Sequence, residues 1–244
     1  LSVAATVGLA QGHYELYAPD GGLVEEGSLP LGQPDWQIEI PNPQIWSSEA
    51  PHLYSLYWQV GEEYYRHQVG IRQLAIQDNC LYINHQPLKL LGVNHHDSWP
   101  DTGATVTLER QRQDLLLMKD LNFNAVRTAH YPKSPEFYEL CDQLGFYVIS
   151  ETDLECHGVV DLYGMGGNDN YNLLAYDDRF KQACLARMIA NVRALKNFSS
   201  IIMWSAGNES GYGPNMEAML QAARQEDPSR PLHYEAYWYH KPDV

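Results

Sequence analysis

The sequence has no apolar run approaching the roughly 18–20 residues that a membrane-spanning helix needs, so no segment is expected to cross a bilayer. It is poor in positive charge: 16 Lys and Arg face 31 Asp and Glu, a net charge of −15. Nucleic-acid partners need clustered cations to meet phosphates, and none is expected here. Cysteine is scarce. Cys80, Cys141, Cys156 and Cys184 form no C-x-x-C pair and no dense framework, which argues against a zinc ribbon or a disulfide scaffold. Free thiols in a reducing cytoplasm are the expectation. The first residues lack a basic stretch followed by an apolar one, so no signal peptide is expected. What is present is a folding composition. At 44% hydrophobic over 244 residues the chain can bury the core of one or two domains.

Residues 1–72 read as β-structure. Trp36, Ile38 and Ile40 alternate with polar neighbours, as do Tyr54, Leu56, Trp58 and Val60, the pattern of half-buried strands. Turn-forming stretches separate such runs: Pro19 to Gly22, Gly32 to Asp35, and Pro41-Asn42-Pro43. Short strands at this spacing predict a β-sandwich. Residues 73–87 predict a connecting hairpin, Leu74–Ile76 against Leu81–Ile83, turning at Asp78-Asn79.

From residue 88 short apolar runs alternate with helical patterns. The runs are Leu88–Asn94, Phe123–Arg127, Phe146–Ile149, Ile201–Trp204 and Leu232–Tyr234. Between them lie a helix near 108–121 carrying Leu115, Met118 and Leu121, and one opened by Ser134-Pro135 with Phe137, Leu140, Cys141 and Leu144 on one face. A longer helix near 178–196 carries Phe180, Cys184, Met188 and Val192, and another is opened by Pro214. Repeated β-α units with short buried strands predict a parallel sheet. Periodicity alone fits both a doubly wound sheet and a (β/α)8 barrel. The nucleotide-binding glycine fingerprint is missing after the first strand, which weighs against a dinucleotide fold.

Polar residues at the strand ends favour the barrel. The strands end in Asn94-His95-His96-Asp97, Arg127-Thr128-Ala129-His130, Glu151 through His157, Asn208-Glu209, and Glu235. Active sites of parallel barrels lie at that end. Taken singly, each residue has a plainer reading. His96 or His130 can be a hydrogen-bonded structural histidine, and Arg127 can pair with a neighbouring acid. Glu155 and His157, two apart, face one side of an extended backbone and form a minimal metal pair, to which Glu209 can add an oxygen ligand. The loop Gly164 to Asn168 has no Lys-Ser/Thr after it and reads as a surface loop rather than a phosphate cradle. Tyr163, Tyr171, Trp204, Tyr237 and Trp238 can stack on sugar rings or simply pack. Asn208-Glu209, ending a buried strand, puts a carboxyl in a cleft, and glycoside hydrolysis needs two carboxyl groups, one of them protonated.

These stretches resemble glycoside hydrolase family 2. The matching segments are Pro43 to Tyr54, Leu91 to His96, Asn124 to Pro132, Glu151 to Gly158, and Ile202 to Gly211. The Glu-x-His-Gly and Asn-Glu-Ser-Gly elements are similar to its β-galactosidases rather than its β-glucuronidases or β-mannosidases. The resemblance implies residues 1–72 as an immunoglobulin-like β-sandwich, incomplete within this chain, residues 88–244 as the N-terminal part of a (β/α)8 TIM barrel, and retaining hydrolysis of terminal β-D-galactosides such as lactose. It implies Glu209 as general acid/base, and Glu155, His157 and Glu209 as ligands of Mg2+, with Na+ as a second ion of the complete enzyme. It further implies Asn208 as the residue binding the sugar 2-hydroxyl, His96 and His130 as pocket histidines, and Arg127 as the arginine orienting the nucleophile. The family's nucleophile is a Glu ending the seventh barrel strand, and only five β-α strands occur before Val244. The chain is therefore expected to be part of a longer, homo-oligomeric enzyme, inactive by itself. Two competing functions are a non-catalytic carbohydrate-binding module and a family 2 glycosidase for another sugar.

Overall fold

The computed structural model describes residues 12–29, 37–159 and 172–235. The first part is an antiparallel sheet of β1 (Gly12–Tyr17), β2 (Leu23–Leu29), β3 (Tyr54–Val60) and β4 (Glu63–Val69), in the order β2-β1-β3-β4. The Pro19 to Gly22 stretch turns β1 into β2, with Gly21 at φ +86°. One face buries Tyr14, Leu16, Tyr54 and Leu56, so the alternation in β3 points where expected. The strand expected over Trp36 to Ile40 is not formed across its described part. Ile38 and Ile40 still pack on the apolar face of the sheet, but pair with no neighbour. Alternation supplies the apolar face but no pairing partner, and Pro41 and Pro43 end the segment at once. Trp36 itself and the Gly32 to Asp35 turn lie outside the described residues.

Next comes a small sheet of β5 (Leu74–Gln77), β6 (Cys80–Ile83) and β7 (Gln86–Pro87). Asp78 and Asn79 both take positive φ, +49° and +60°, which a tight two-residue hairpin requires. The third strand makes this more than the expected hairpin.

The remaining strands are β8 (Gly92–Asn94), β9 (Ala125–Arg127), β10 (Tyr147–Glu151), β11 (Ile201–Ser205) and β12 (Leu232–His233). They are all parallel and lie side by side in chain order. That order excludes a doubly wound sheet, whose strand order reverses at a switch point. The connecting helices are α1 (Leu108–Asp120), α2 (Pro135–Leu144), α3 (Leu173–Tyr176), α4 (Asp178–Leu195) and α5 (Pro214–Glu226). Their apolar faces, including Leu115, Phe137, Cys184, Met188 and Met216, bury Val126, Val148, Ile201 and Trp204 of the strands. Ser134 and Pro135 open α2 and Gly145 closes it at φ +74°. Leu121 caps the end of α1 and is exposed rather than packed.

The small sheet covers the strands' N-terminal ends. Ile83, Leu81 and Leu74 pack with Trp46, Ala125, Tyr147 and Ile202. Trp46 is wholly buried and its indole donates to the Asp142 carbonyl at 2.8 Å. The opposite, C-terminal ends of the strands carry the polar residues.

Candidate active site

The strand ends form one hydrogen-bonded layer. Arg127 on β9 reaches Asn94 Oδ1 of β8 at 3.4 Å and donates through Nε to Glu151 Oε2 of β10 at 2.6 Å. Ser205 of β11 donates to the same Oε2 at 2.7 Å and meets His233 Nδ1 of β12 at 3.2 Å. Five consecutive strands are thus tied through side chains at one end of the sheet. Glu151 sits at the middle, its side chain 0% exposed, with His130 Nδ1 at 2.6 Å from Oε1.

Above this layer β10 and β11 run on as irregular backbone joined by a bridge between Glu155 and Asn208. The Asn208 amide donates to the Leu154 carbonyl at 2.8 Å. Gly207 permits that approach: its φ is +143°, and a Cβ there would lie 2.6 Å from Leu154 O. The buried Asn208 side chain accepts from Arg127 at 2.9 Å through Oδ1 and donates from Nδ2 to Glu155 Oε2 at 2.7 Å. Glu155 Oε1 meets His157 Nδ1 at 2.6 Å, and the other ring nitrogen of His157 contacts Glu209. The backbone turns helical at His157, so a turn rather than extended spacing brings it onto Glu155. Glu209 takes φ +28°, a left-handed conformation, and its amide donates to Glu235 at 3.2 Å.

Ligand atoms of Glu155, His157 and Glu209 lie within 4.8 Å of one another, and the three can hold a metal ion. Two carboxylate oxygens and one imidazole nitrogen suit a hard divalent cation that keeps waters as its other ligands. A second trio, His13, Glu15 and Glu26, lies on the antiparallel sheet, away from the strand ends.

His96 is exposed beside the site, its ring edge-on to that of His130 with centroids 5.2 Å apart. Partial burial, then the neighbouring His130, Lys133 and Arg127, lower its proton affinity against the pull of Asp97. Its neighbour His95 turns inward, stacks on Phe137 and contacts Asp114 at 3.3 Å, a packed structural histidine. Lys133, buried, pairs with Asp97 at 3.2 Å, and Tyr131 accepts from the Asp97 amide, pinning the loop after β8 to the loop after β9. Trp204 points into the core and donates to Asp227 at 2.8 Å, so it offers no sugar platform. Tyr163, Tyr171, Tyr237, Trp238 and the loop Gly164 to Asn168 lie outside the described residues. Sequence reasoning named no role for Glu151, Ser205 or His233. The available signal was a polar residue closing each buried run.

Residues 74–243 match the family described as glycosyl hydrolases family 2, TIM barrel domain. A β-galactosidase of Staphylococcus xylosus is 49% identical over 93% of this chain and 22% of that protein. One of Actinobacillus pleuropneumoniae is 42% identical over 93% of this chain and 24% of its own length. The chain thus spans under a quarter of these curated relatives. Among solved structures, a β-D-glucuronidase of Dictyoglomus thermophilum superposes with a TM-score of 0.79 at 24% identity, covering 95% of this chain and 40% of that one. A Faecalibacterium prausnitzii β-glucuronidase gives 0.79 at 26% identity, covering 94% and 38%. At such identities the likeness is one of fold.

Proposed function

Because the chain belongs to glycoside hydrolase family 2, we propose that it carries the proton-transferring part of a β-galactosidase active site. The whole enzyme would hydrolyse terminal β-D-galactosides such as lactose with retention at the anomeric carbon. The observation that carries this reading is the cluster of Asn208, Glu209, Glu155 and His157 on the Arg127–Glu151 layer. A carbohydrate-binding module would need sugar-stacking aromatics but no such array of carboxylates. On this reading residues 1–72 are an incomplete sandwich, 73–87 a connector and 88–244 the first part of the barrel.

Glu209 protonates the glycosidic oxygen as the leaving group departs, then takes the proton of the water that releases the sugar. The carboxylate that forms the covalent intermediate belongs to a later strand of the whole enzyme. Asn208 has two N–H donors. Glu155 takes one, which leaves the other for a sugar hydroxyl. His130 commits Nδ1 to Glu151, which turns Nε2 toward the sugar site, 4.0 Å from Glu155. His96 lines the same side, and Arg127 orients the nucleophile. Glu155, His157 and Glu209 would hold Mg2+, which would supply positive charge among the carboxylates.

Identity favours the galactoside over the glucuronide, 49% against 24–26%. Chemistry agrees. A uronate needs a free cation, and among the described residues at the strand ends Arg127 and Lys133 are both paired with carboxylates. All four cysteines are free, three of them buried, which supports the cytoplasm as the working compartment. No helix among the described residues is long and apolar enough to cross a membrane. Assembly as a homo-oligomer and an added Na+ ion belong to the same reading of the complete enzyme.

The test uses the full-length protein with nitrophenyl β-galactoside, β-glucuronide and β-mannoside, and follows the anomer released by NMR. Galactoside hydrolysis with retention, lowered by chelation and restored by Mg2+, is expected. Preference for either other sugar would reassign the substrate, and inversion would reject the mechanism.

A further inference from the structure

Glu151 has no part in the roles above, yet its carboxylate is fully committed. Oε1 meets His130, and Oε2 accepts from Arg127 and Ser205, all at 2.6–2.7 Å in a wholly buried position. A carboxylate so enclosed cannot approach a sugar carbon, which removes it as a nucleophile. Stability alone gives no reason for a charge there. Burying an ion is costly, and apolar replacement of buried ion networks is often neutral or stabilising.

The donors come from three places, the end of β9, the loop after it, and the end of β11. Arg127 continues to Asn208, which has a proposed contact to the sugar, and His130 has such a contact itself. The Arg127 guanidinium lies on Glu151 Oε2 through both Nε and a terminal nitrogen, which fixes its plane. That same terminal nitrogen donates to Asn208 Oδ1 at 2.9 Å. Asn208 is thereby held with Oδ1 toward the cation and Nδ2 toward Glu155. If the guanidinium turns away, the amide is free to rotate and its donor no longer points at the sugar site. The second branch works likewise. The bond from Glu151 to His130 Nδ1 sets both the ring's rotation and the nitrogen it presents.

We propose that Glu151 is a positioning residue of the glycosidase reaction, aiming the Asn208 amide through Arg127 and the His130 ring directly. This rests on the glycosidase reading. Glu151 lies off the proton's path between Glu209 and the leaving group. Its loss should therefore slow poor and activated leaving groups alike, with KM little changed.

The experiment compares full-length wild type, Glu151→Gln, Arg127→Ala and the double variant, on lactose and on a nitrophenyl β-galactoside. Circular dichroism and size-exclusion chromatography establish the folded fraction. Supporting partners of site residues typically matter by about 10–100-fold. Glu151→Gln should lower kcat by that order on both substrates. In the Arg127→Ala background its effect should shrink severalfold, because one of the two branches it steers is gone. A merely structural role would lower the folded fraction with normal kcat per folded enzyme, or give a kcat loss undiminished beside Arg127→Ala, and either result overturns the inference. If Glu151→Gln does not fold, Ser205→Ala removes one donor from the same carboxylate. A smaller kcat loss is then expected, again shrinking beside Arg127→Ala, and unchanged kcat overturns the inference. Wild-type enzyme inert toward galactosides would instead reject the glycosidase reading, so the two failures are separable.

Discussion

Glu209 combines access with constraint. Its side chain is 46% exposed, while the left-handed backbone, the Glu235 contact and the His157 ring hold it in place. A group with the proposed role of handing a proton to a departing oxygen needs both. In the full-length enzyme Glu209→Gln should cost a factor of about 10²–10⁴ with lactose, the usual worth of general acid catalysis. It should cost far less in the bond-cleaving step of an activated nitrophenyl galactoside, whose leaving group needs little protonation. Equal losses on both substrates would point away from acid catalysis. Asn208, Glu209, Glu155 and His157 were legible in the sequence because each is polar where a buried run stops. Glu151 satisfied the same rule but stood out less, since its importance lies in partners contributed by β9 and β11. Trp204 shows the converse: sequence left it free to stack on a sugar, and its place on the helix-facing side of its strand sent it into the core.

At the level of elements, the site depends on the parallel bridge between two loop backbones. Gly207→Ala would set a Cβ against the Leu154 carbonyl and force an L-residue to φ +143°. Strained backbone of this kind costs roughly 1–3 kcal/mol, and the Glu155–Asn208 bridge would loosen. A lowered melting temperature together with a loss of kcat is expected; a variant with normal kcat would show that the bridge does not set the site's geometry. Asp142 at the end of α2 accepts from the amides of Ser199 and Ser200, joining that helix to the start of β11. Burial pushes its carboxyl from 3.8 up to about 6, against the pull of those amides and Arg72. The folded state thus holds this proton more tightly than the unfolded one. The stability it contributes is fully present below about pH 4 and is lost as pH rises through 6. Asp142→Asn cannot titrate. Between pH 4 and 7 the melting temperature of the wild type should therefore fall relative to that of the variant, and parallel curves would refute the linkage. Helices and strands from residue 88 on were readable because strong periodicity and Pro or Gly punctuation agree there. The segment Gln37 to Ile40 was misread because alternation reports a buried face and says nothing about a pairing partner.

Over the whole molecule, one end of the parallel sheet is stoppered by apolar residues of the small sheet and the other carries the polar layer, so chemistry has one face to work on. Among the described residues around the proposed acid/base, Glu151 is sealed, Glu155 is held by Asn208 and His157, and Glu235 is engaged with the Glu209 amide, so none is placed as a nucleophile. The purified 244-residue chain should therefore release no nitrophenol from a nitrophenyl galactoside. Turnover with retention would move the nucleophile into this chain and reopen Glu235. Order along the chain was enough to establish repeated β-α units, their polar C-terminal ends and the acidic surface, because those are properties of local period and composition. Only the tertiary structure decided that the five strands lie in consecutive order, that their polar ends merge into one layer centred on Glu151, and that His157 joins Glu155 to Glu209. Those facts depend on which strands are neighbours and how two loops meet, distances that no spacing along the sequence encodes.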